Sequence, residues 1–252
     1  MLWRSLFSAI NLVAGMSGLR LDRGRILLAW IPVLGLIGMG AQLSRVHDFQ
    51  WAWMAGSWIA YYGGNTLILG SGIRRWMISR FGRERAYSIY EMICGWLFFT
   101  IGTGFTVSAT MLVGQLPLER TIAWILAIAL LVFGFGIKVW ATALTGLDTY
   151  YYRDLFLHEH HENWVARGPY RYLSSPMYGA GNMHGYSAAL FVGSLPGLVF
   201  ALCCHLGIYG FTSWWRGRLF VGPTPVSFFQ IEHQGINPDH ERVVDGAACR
   251  RT

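Results

Sequence analysis

A chain of 252 residues that is 54% hydrophobic, 15% aromatic and only 13% charged, with a mean hydropathy of +0.37, is not composed like a soluble domain. Such domains carry about 25% charged residues, and one of this size has too little interior to hide so much apolar surface. The net charge of +7 is almost wholly arginine, Lys138 being the only lysine. The arginines lie between apolar runs rather than on one soluble face, which argues against a nucleic-acid partner and for a membrane protein obeying the positive-inside rule.

In chain order, residues 1–25 form an N-terminal segment of which 1–19 are mildly amphipathic, with Trp3, Leu6, Phe7, Ile10, Leu12 and Val13 as apolar members and no clear small-residue cleavage site before Arg20, Arg23 and Arg25. They read as an interfacial helix or a tail rather than a signal peptide. Residues 26–147 read as four transmembrane helices. The first, 26–43, contains Pro32, which a membrane helix tolerates where neighbours satisfy the freed carbonyl. The second, 51–70, opens on Trp51, Trp53 and Trp58 and contains Asn65, a candidate to bridge helices. Residues 71–88 hold five arginines and read as a basic loop. In the third span, 89–113, Glu91 is expected at the interface, and Gly102 with Gly104 points to close helix packing. The fourth, 121–147, holds Lys138 in its last third. A lysine so placed is expected to snorkel to the nearer interface; the alternative is that it faces a site.

Residues 148–215 combine the longest polar stretch with a second apolar region. The apolar part, 181–215, is far longer than a bilayer needs at about 1.5 Å per helical residue. Gly193-Ser194-Leu195-Pro196-Gly197 breaks it into a helical hairpin, 182–193 and 196–215. The expected fold class is therefore an all-α integral membrane protein with about five to six transmembrane helices including a C-terminal helical hairpin. The tail 216–252 is expected to be loosely ordered. Cys94, Cys203, Cys204 and Cys249 form no CxxC pair, so neither a zinc site nor a disulfide framework is indicated. The arginine-rich segments before the first span, between the second and third and after the fourth all fall on one side. The rule makes that side, with the 148–180 loop, cytosolic.

The chemistry concentrates in 166–181, ARGPYRYLSSPMYGAG. Two prolines forbid a continuous helix and the glycines permit close backbone approaches. A membrane-edge loop with Tyr and Arg at headgroup level and a loop that holds a polar ligand are both compatible with this composition. Just upstream, His158-Glu159-His160-His161-Glu162 has three readings: a solvated interfacial loop, a general base or headgroup contact, or a metal site, since 158, 161 and 162 share one face of a helix. Glu159 and Glu162 are the carboxylates best placed to meet a cationic headgroup or serve catalysis. His184 reads as a satisfied intramembrane histidine or a functional group. Tyr150-Tyr151-Tyr152 reads as an interface anchor or a headgroup path, and Trp214-Trp215 as belt residues.

Gly-Pro-Tyr-Arg-Tyr followed by Leu-Ser-Ser and Pro-Met-Tyr-Gly resembles the motif of the integral-membrane methyltransferases, the phospholipid (phosphatidylethanolamine) N-methyltransferases and the isoprenylcysteine carboxyl methyltransferases. The resemblance covers roughly 146–215 and is closest to the bacterial phospholipid branch. It implies S-adenosylmethionine as cofactor, a membrane lipid as substrate, and an inner-membrane or equivalent location. By position it implies Gly168, Pro169, Tyr170, Arg171, Pro176, Met177, Tyr178 and Gly181 as cofactor-binding residues, with Gly146 as a further glycine on the approach. The most favoured acceptor is the amine of phosphatidylethanolamine; the alternatives are a prenylcysteine carboxylate, a small thiol, or a non-enzymatic protein that keeps the fold. The related membrane sterol reductases use NADPH, and this chain has no counterpart of their long C-terminal cofactor motif. Two departures stand out. Many relatives have Arg-His where this chain has Ser174-Ser175, and an acidic pair where it reads Trp214-Trp215-Arg216-Gly217-Arg218, the next glutamate being Glu232.

Overall fold

The structure is a computed structural model and describes residues 2–16, 26–43, 45–158, 167–173 and 175–219. All regular structure among them is helical. In order these are α1 (Leu2–Met16), α2 (Ile26–Leu43), α3 (His47–Gly70), α4 (Gly72–Phe81), α5 (Arg83–Ala109), α6 (Arg120–Thr145), two short turns of helix, α7 (Leu147–Tyr150) and α8 (Arg153–Leu157), two 3-10 helices, Gly168–Arg171 and Ala180–Tyr186, then α9 (Ser187–Val192) and α10 (Leu195–Leu219). Among the described residues, three helices are long and apolar enough to cross a membrane: Arg83–Ala109, Arg120–Thr145 and Leu195–Trp215. The chain is an all-α membrane protein.

The basic segment after α3 is not a loop. Ser71 caps α4, its hydroxyl accepting from the Ile73 N–H at 3.1 Å. Ile73, Met77 and Phe81 recur at helical spacing, with Met77 buried. Two arginines of the segment close α8: Arg74 Nη1 donates to Phe156 O at 3.0 Å and Arg83 Nη2 to Leu157 O at 3.4 Å. Glu91, expected at the interface, is buried inside α5. Asn65 bridges helices: it accepts from the Tyr90 hydroxyl at 3.0 Å while its amide donates to Tyr61 O at 2.8 Å. Gly104 meets Ser57 and Phe200, so a side chain there would collide, whereas a β-carbon on Gly102 would find nothing within 4 Å.

The hairpin is asymmetric. Its first arm is a 3-10 helix and a short α-helix rather than one continuous helix, and its second is the long α10. The turn is fixed from outside. Gly114 N–H donates to Val192 O at 2.9 Å and Leu116 N–H to Gly193 O at 3.0 Å. The Ser194 hydroxyl lies 2.9 and 2.6 Å from the carbonyls of Ser108 and Met111 and accepts from the Gly197 N–H at 3.1 Å. α10 is tied to α3 by Tyr62 donating to Cys204 O at 2.6 Å and Trp58 to Cys203 O at 3.2 Å. Glu119 caps α6, accepting from the N–H groups of Thr121 (2.9 Å) and Ile122 (3.0 Å), and these bonds hold its carboxyl below the usual carboxylate range.

Candidate functional site

The face of α6 that carries Ala127, Gly134, Lys138, Ala141 and Thr142 is buried, and the 3-10 helix Ala180–Tyr186 lies across it. Small residues make this possible. A β-carbon on Gly134 would stand 2.5 Å from His184 N and 3.1 Å from Met183 C, and one on Gly181 would stand 2.9 Å from Pro176 O and 3.1 Å from Lys138 Cβ. Gly134 and Lys138 are one helical turn apart on one face, so the 3-10 helix covers the lysine stem. Lys138 therefore does not snorkel. It is 7% exposed, donates to Asn182 Oδ1 at 2.9 Å, and holds its Nζ 5.9 Å from the Phe98 ring centroid and 5.7 Å from that of Tyr150.

Lys138 lines a cavity of about 300 Å³ bordered by α3, α5, α6, α10 and the segments between α6 and α9. That is the lower end of the range for small-molecule sites, about 300–1,000 Å³. Six tyrosines line it: Tyr61, Tyr62, Tyr150, Tyr151, Tyr152 and Tyr178. Tyr150–Tyr152 are buried, so they are cavity wall rather than interface anchors. Gly146 (φ +86°) ends α6 and turns the chain so that this run folds inward; Tyr151 then donates to Gly15 O at 2.6 Å and the Tyr61 and Tyr152 hydroxyls lie 3.4 Å apart. The rings of Tyr152 and Tyr178 stack at 6.0 Å and 20°. His184 and His205 also line the cavity. His184 Nδ1 lies 2.6 Å from Gly181 O, so Nδ1 carries the proton and Nε2 the lone pair, and His205 Nδ1 is 3.1 Å from the Tyr186 hydroxyl. Among the described residues no Asp or Glu lines the cavity, and no three metal-capable side chains cluster.

The motif splits in two. Gly168 (φ +58°), Pro169, Tyr170 and Arg171 form the first 3-10 helix, packed on the outside of α6 near Trp140 and Leu144. Arg171 is exposed and lies 5.8 Å from the ring of Tyr172, itself 80% exposed. Pro176, Met177, Tyr178 and Gly181 are buried. Gly181 N–H donates to Pro176 O at 2.8 Å, which tightens the turn that presents Tyr178 to the cavity. The structure thus brings Tyr178 to the cavity and Pro176, Met177 and Gly181 behind it, and leaves Gly168–Arg171 out of the lining, with Pro169 buried and Tyr170 packed against the core. Glu159, Glu162, Ser174 and Glu232 lie outside the described residues. Trp215, where the resemblance leads one to expect an acidic residue, is buried against Gly70 with its indole N–H unpartnered among the described residues, while Trp214 is 57% exposed. Asn182, Tyr61 and Tyr62 are the residues that the sequence alone does not bring to the site, while Lys138 and Tyr150–Tyr152 take the second of the two readings the sequence allows them.

Comparison with curated proteins and with solved structures returns no match. Residues 122–217 match the family model of the phospholipid methyltransferases. That segment runs from the start of α6 to the end of α10 and contains the motif, Lys138 and the hairpin. The match agrees with the membrane-methyltransferase resemblance read from the motif, and it covers the segment that carries that motif.

Proposed function

We propose that the protein methylates a membrane lipid with S-adenosylmethionine as donor, and that its acceptor is the amine of phosphatidylethanolamine or of its partly methylated products. The single observation behind this reading is the cavity walled by six tyrosines and entered by Tyr178 of the motif, within the segment that matches the family. Faces of aromatic rings attract sulfonium and alkylated ammonium groups, the two cations of this reaction. The residues fit the cofactor: an aromatic wall for the sulfonium, and Lys138 Nζ and Asn182 as polar groups at one side. Tyr178, with Pro176, Met177 and Gly181 behind it, would hold the cofactor. Gly168, Pro169, Tyr170 and Arg171 do not line the cavity, so their contact with the cofactor would come from beyond that lining. When bound, S-adenosylmethionine supplies an electrophilic methyl group.

The chain has two tasks beyond binding. The tyrosine wall excludes water and aligns the acceptor nitrogen with the donor, which is where most of the rate of such a displacement arises. The acceptor must also present a lone pair, so its ammonium has to lose a proton. His184 Nε2, left with a lone pair by the Nδ1 contact to Gly181 O, is a nitrogen base of the wall; Glu159 and Glu162 are the carboxylates of the preceding segment for the cationic headgroup. The active-site loop is proposed to face the cytosol, where the donor is made, in a bacterial inner membrane or its equivalent.

The test is calorimetric binding of S-adenosylhomocysteine to the protein in nanodiscs, followed by lipid analysis of cells that express it. Binding, with new methylated phosphatidylethanolamine species, is the expected result. Binding without a change in that lipid would redirect the acceptor to a prenylcysteine carboxylate or a thiol. Absence of binding would leave a non-enzymatic protein of the same fold, for which Trp215 in place of an acidic residue is the specific observation.

A further inference from the structure

Lys138 is the chain's only lysine, and its ammonium sits inside the tyrosine cavity rather than at a membrane interface. Its polar partner there is a neutral amide, Asn182 Oδ1 at 2.9 Å; the rings of Phe98 and Tyr150 flank it, and the imidazole of His184 lines the same cavity. An ammonium has three donors, and one is used. No carboxylate among the described residues lines the same cavity. A buried cation without an anion is costly, and the usual resolution is an opposite charge brought into contact. Its position is also built rather than incidental. Gly181 of the motif packs on the Lys138 stem, and Asn182, the next residue, takes its ammonium. The same short turn thus fixes both ends of the side chain.

Resting on the methyltransferase reading, we infer that Lys138 and Asn182 form an anion subsite in the cavity, so that the site takes a zwitterionic ligand: an anionic oxygen on Lys138 Nζ and a cationic centre against the tyrosine rings. Separation of the two charges inside one cavity removes the conflict between a buried ammonium and a cationic ligand. Either reactant offers this chemistry. The carboxylate of the donor's amino-acid end is one source, and the phosphate of the lipid headgroup is the other. Lys138 is then a specificity-determining residue: it selects ligands that carry an anion at a short distance from the methyl-bearing cation, and the Lys138→Met variant loses that selection.

The test is a pair of double-mutant cycles in nanodiscs, each with the anion removed from the ligand and the ammonium removed from the protein. The first compares S-adenosylhomocysteine with its decarboxylated analogue, and the second compares phosphocholine with choline, on wild type and on Lys138→Met. A charge-assisted contact predicts that wild type binds the anion-bearing member of one pair about ten- to a hundredfold more tightly and that Lys138→Met abolishes the difference. Coupling in the first pair assigns the subsite to the donor carboxylate; coupling in the second assigns it to the lipid phosphate. The wild-type half of each cycle needs no variant, so it remains decisive if Lys138→Met fails to fold, and Lys138→Arg, which keeps the charge, should retain the preference. If S-adenosylhomocysteine binds but neither pair shows a preference in wild type, the subsite is wrong and the methyltransferase reading survives. If S-adenosylhomocysteine does not bind, that reading fails, and the phosphocholine pair still decides the subsite.

Discussion

The two halves of the motif segment share composition and differ in what surrounds them. Gly168–Arg171 and Pro176–Gly181 each bring proline, tyrosine and glycine. Yet Arg171 and Tyr172 end in solvent or lipid while Pro176, Met177 and Tyr178 are buried and one of them faces the cavity. The difference arises on α6. Its outer surface near Trp140 and Leu144 is bulky, so the first half rests on top of it. Its inner face is small on either side of Lys138, at Gly134, Ala141 and Thr142, so the second half and the 3-10 helix after it sink against the helix backbone. Motif residues become site residues only where a facing helix has room for them, and that room is encoded more than thirty residues upstream.

The comparison breaks most sharply at Gly134. Alanine there would place a β-carbon against three backbone atoms of the 3-10 helix, and backbone has no rotamer with which to retreat. Gly134→Ala is expected to cost about 1–3 kcal/mol of stability, the usual range for overpacking, and to displace Lys138 and Asn182 enough to weaken ligand binding with it. Gly136→Ala is the control a short way round the same helix. Nothing lies within 4 Å of its β-carbon position, so stability should hold or rise slightly, as alanine is the better helix former. Thermal unfolding in detergent or nanodiscs checks the pair. Equal losses at both positions would show that the inner face is not set by close approach.

A smaller effect separates the halves directly. Tyr178→Ala removes a ring stacked on Tyr152 and exposed to the cavity, and should lower S-adenosylhomocysteine affinity about tenfold or more. Tyr172→Ala removes a ring that is 80% exposed, and should change affinity less than about twofold. A larger loss at Tyr172 than at Tyr178 would return the cofactor to the outer half of the motif and away from the tyrosine cavity.

How much of this is legible in the sequence follows from the range of the interactions. The long helices are, because hydropathy over some twenty residues decides them: segments 26–43 and 121–147 meet α2 and α6 within two residues. α4 is hidden because its arginines mask the spacing of Ile73, Met77 and Phe81, and because the carbonyls that Arg74 and Arg83 serve belong to α8, far along the chain. A lysine late in a span can usually reach an interface, and the sequence alone puts Lys138 there. What prevents it is a 3-10 helix centred about 44 residues later, and no local pattern encodes that packing. Tyr150–Tyr152 mislead for the same reason: three tyrosines beside a polar stretch look like a belt until Gly146 turns them inward. The motif marks the centre of interest, but sequence adjacency puts all of it in the site, and only one half reaches the cavity.

The mildest expected change sharpens the comparison from outside. Arg153, next to the cavity residue Tyr152, pairs with Glu84 at 2.6 and 3.1 Å, lies 3.9 Å from Asp148 and covers the Tyr87 ring at 4.9 Å. Glu84 is 73% exposed at the side chain, so solvent screens the pair, and exposed ion pairs contribute about 0–1 kcal/mol. Glu84→Gln should therefore lower stability by less than about 1 kcal/mol, with the difference from wild type shrinking as salt rises. Arg153 still keeps its Tyr87 and Asp148 neighbours in that variant, so the Tyr152–Tyr178 stack, and with it S-adenosylhomocysteine affinity, should not move. Unfolding at low and high salt, paired with the binding measurement, checks both. A loss of affinity without a loss of stability would mean that the ion pair positions Tyr152, and that the site extends from the inner half of the motif to the start of α5.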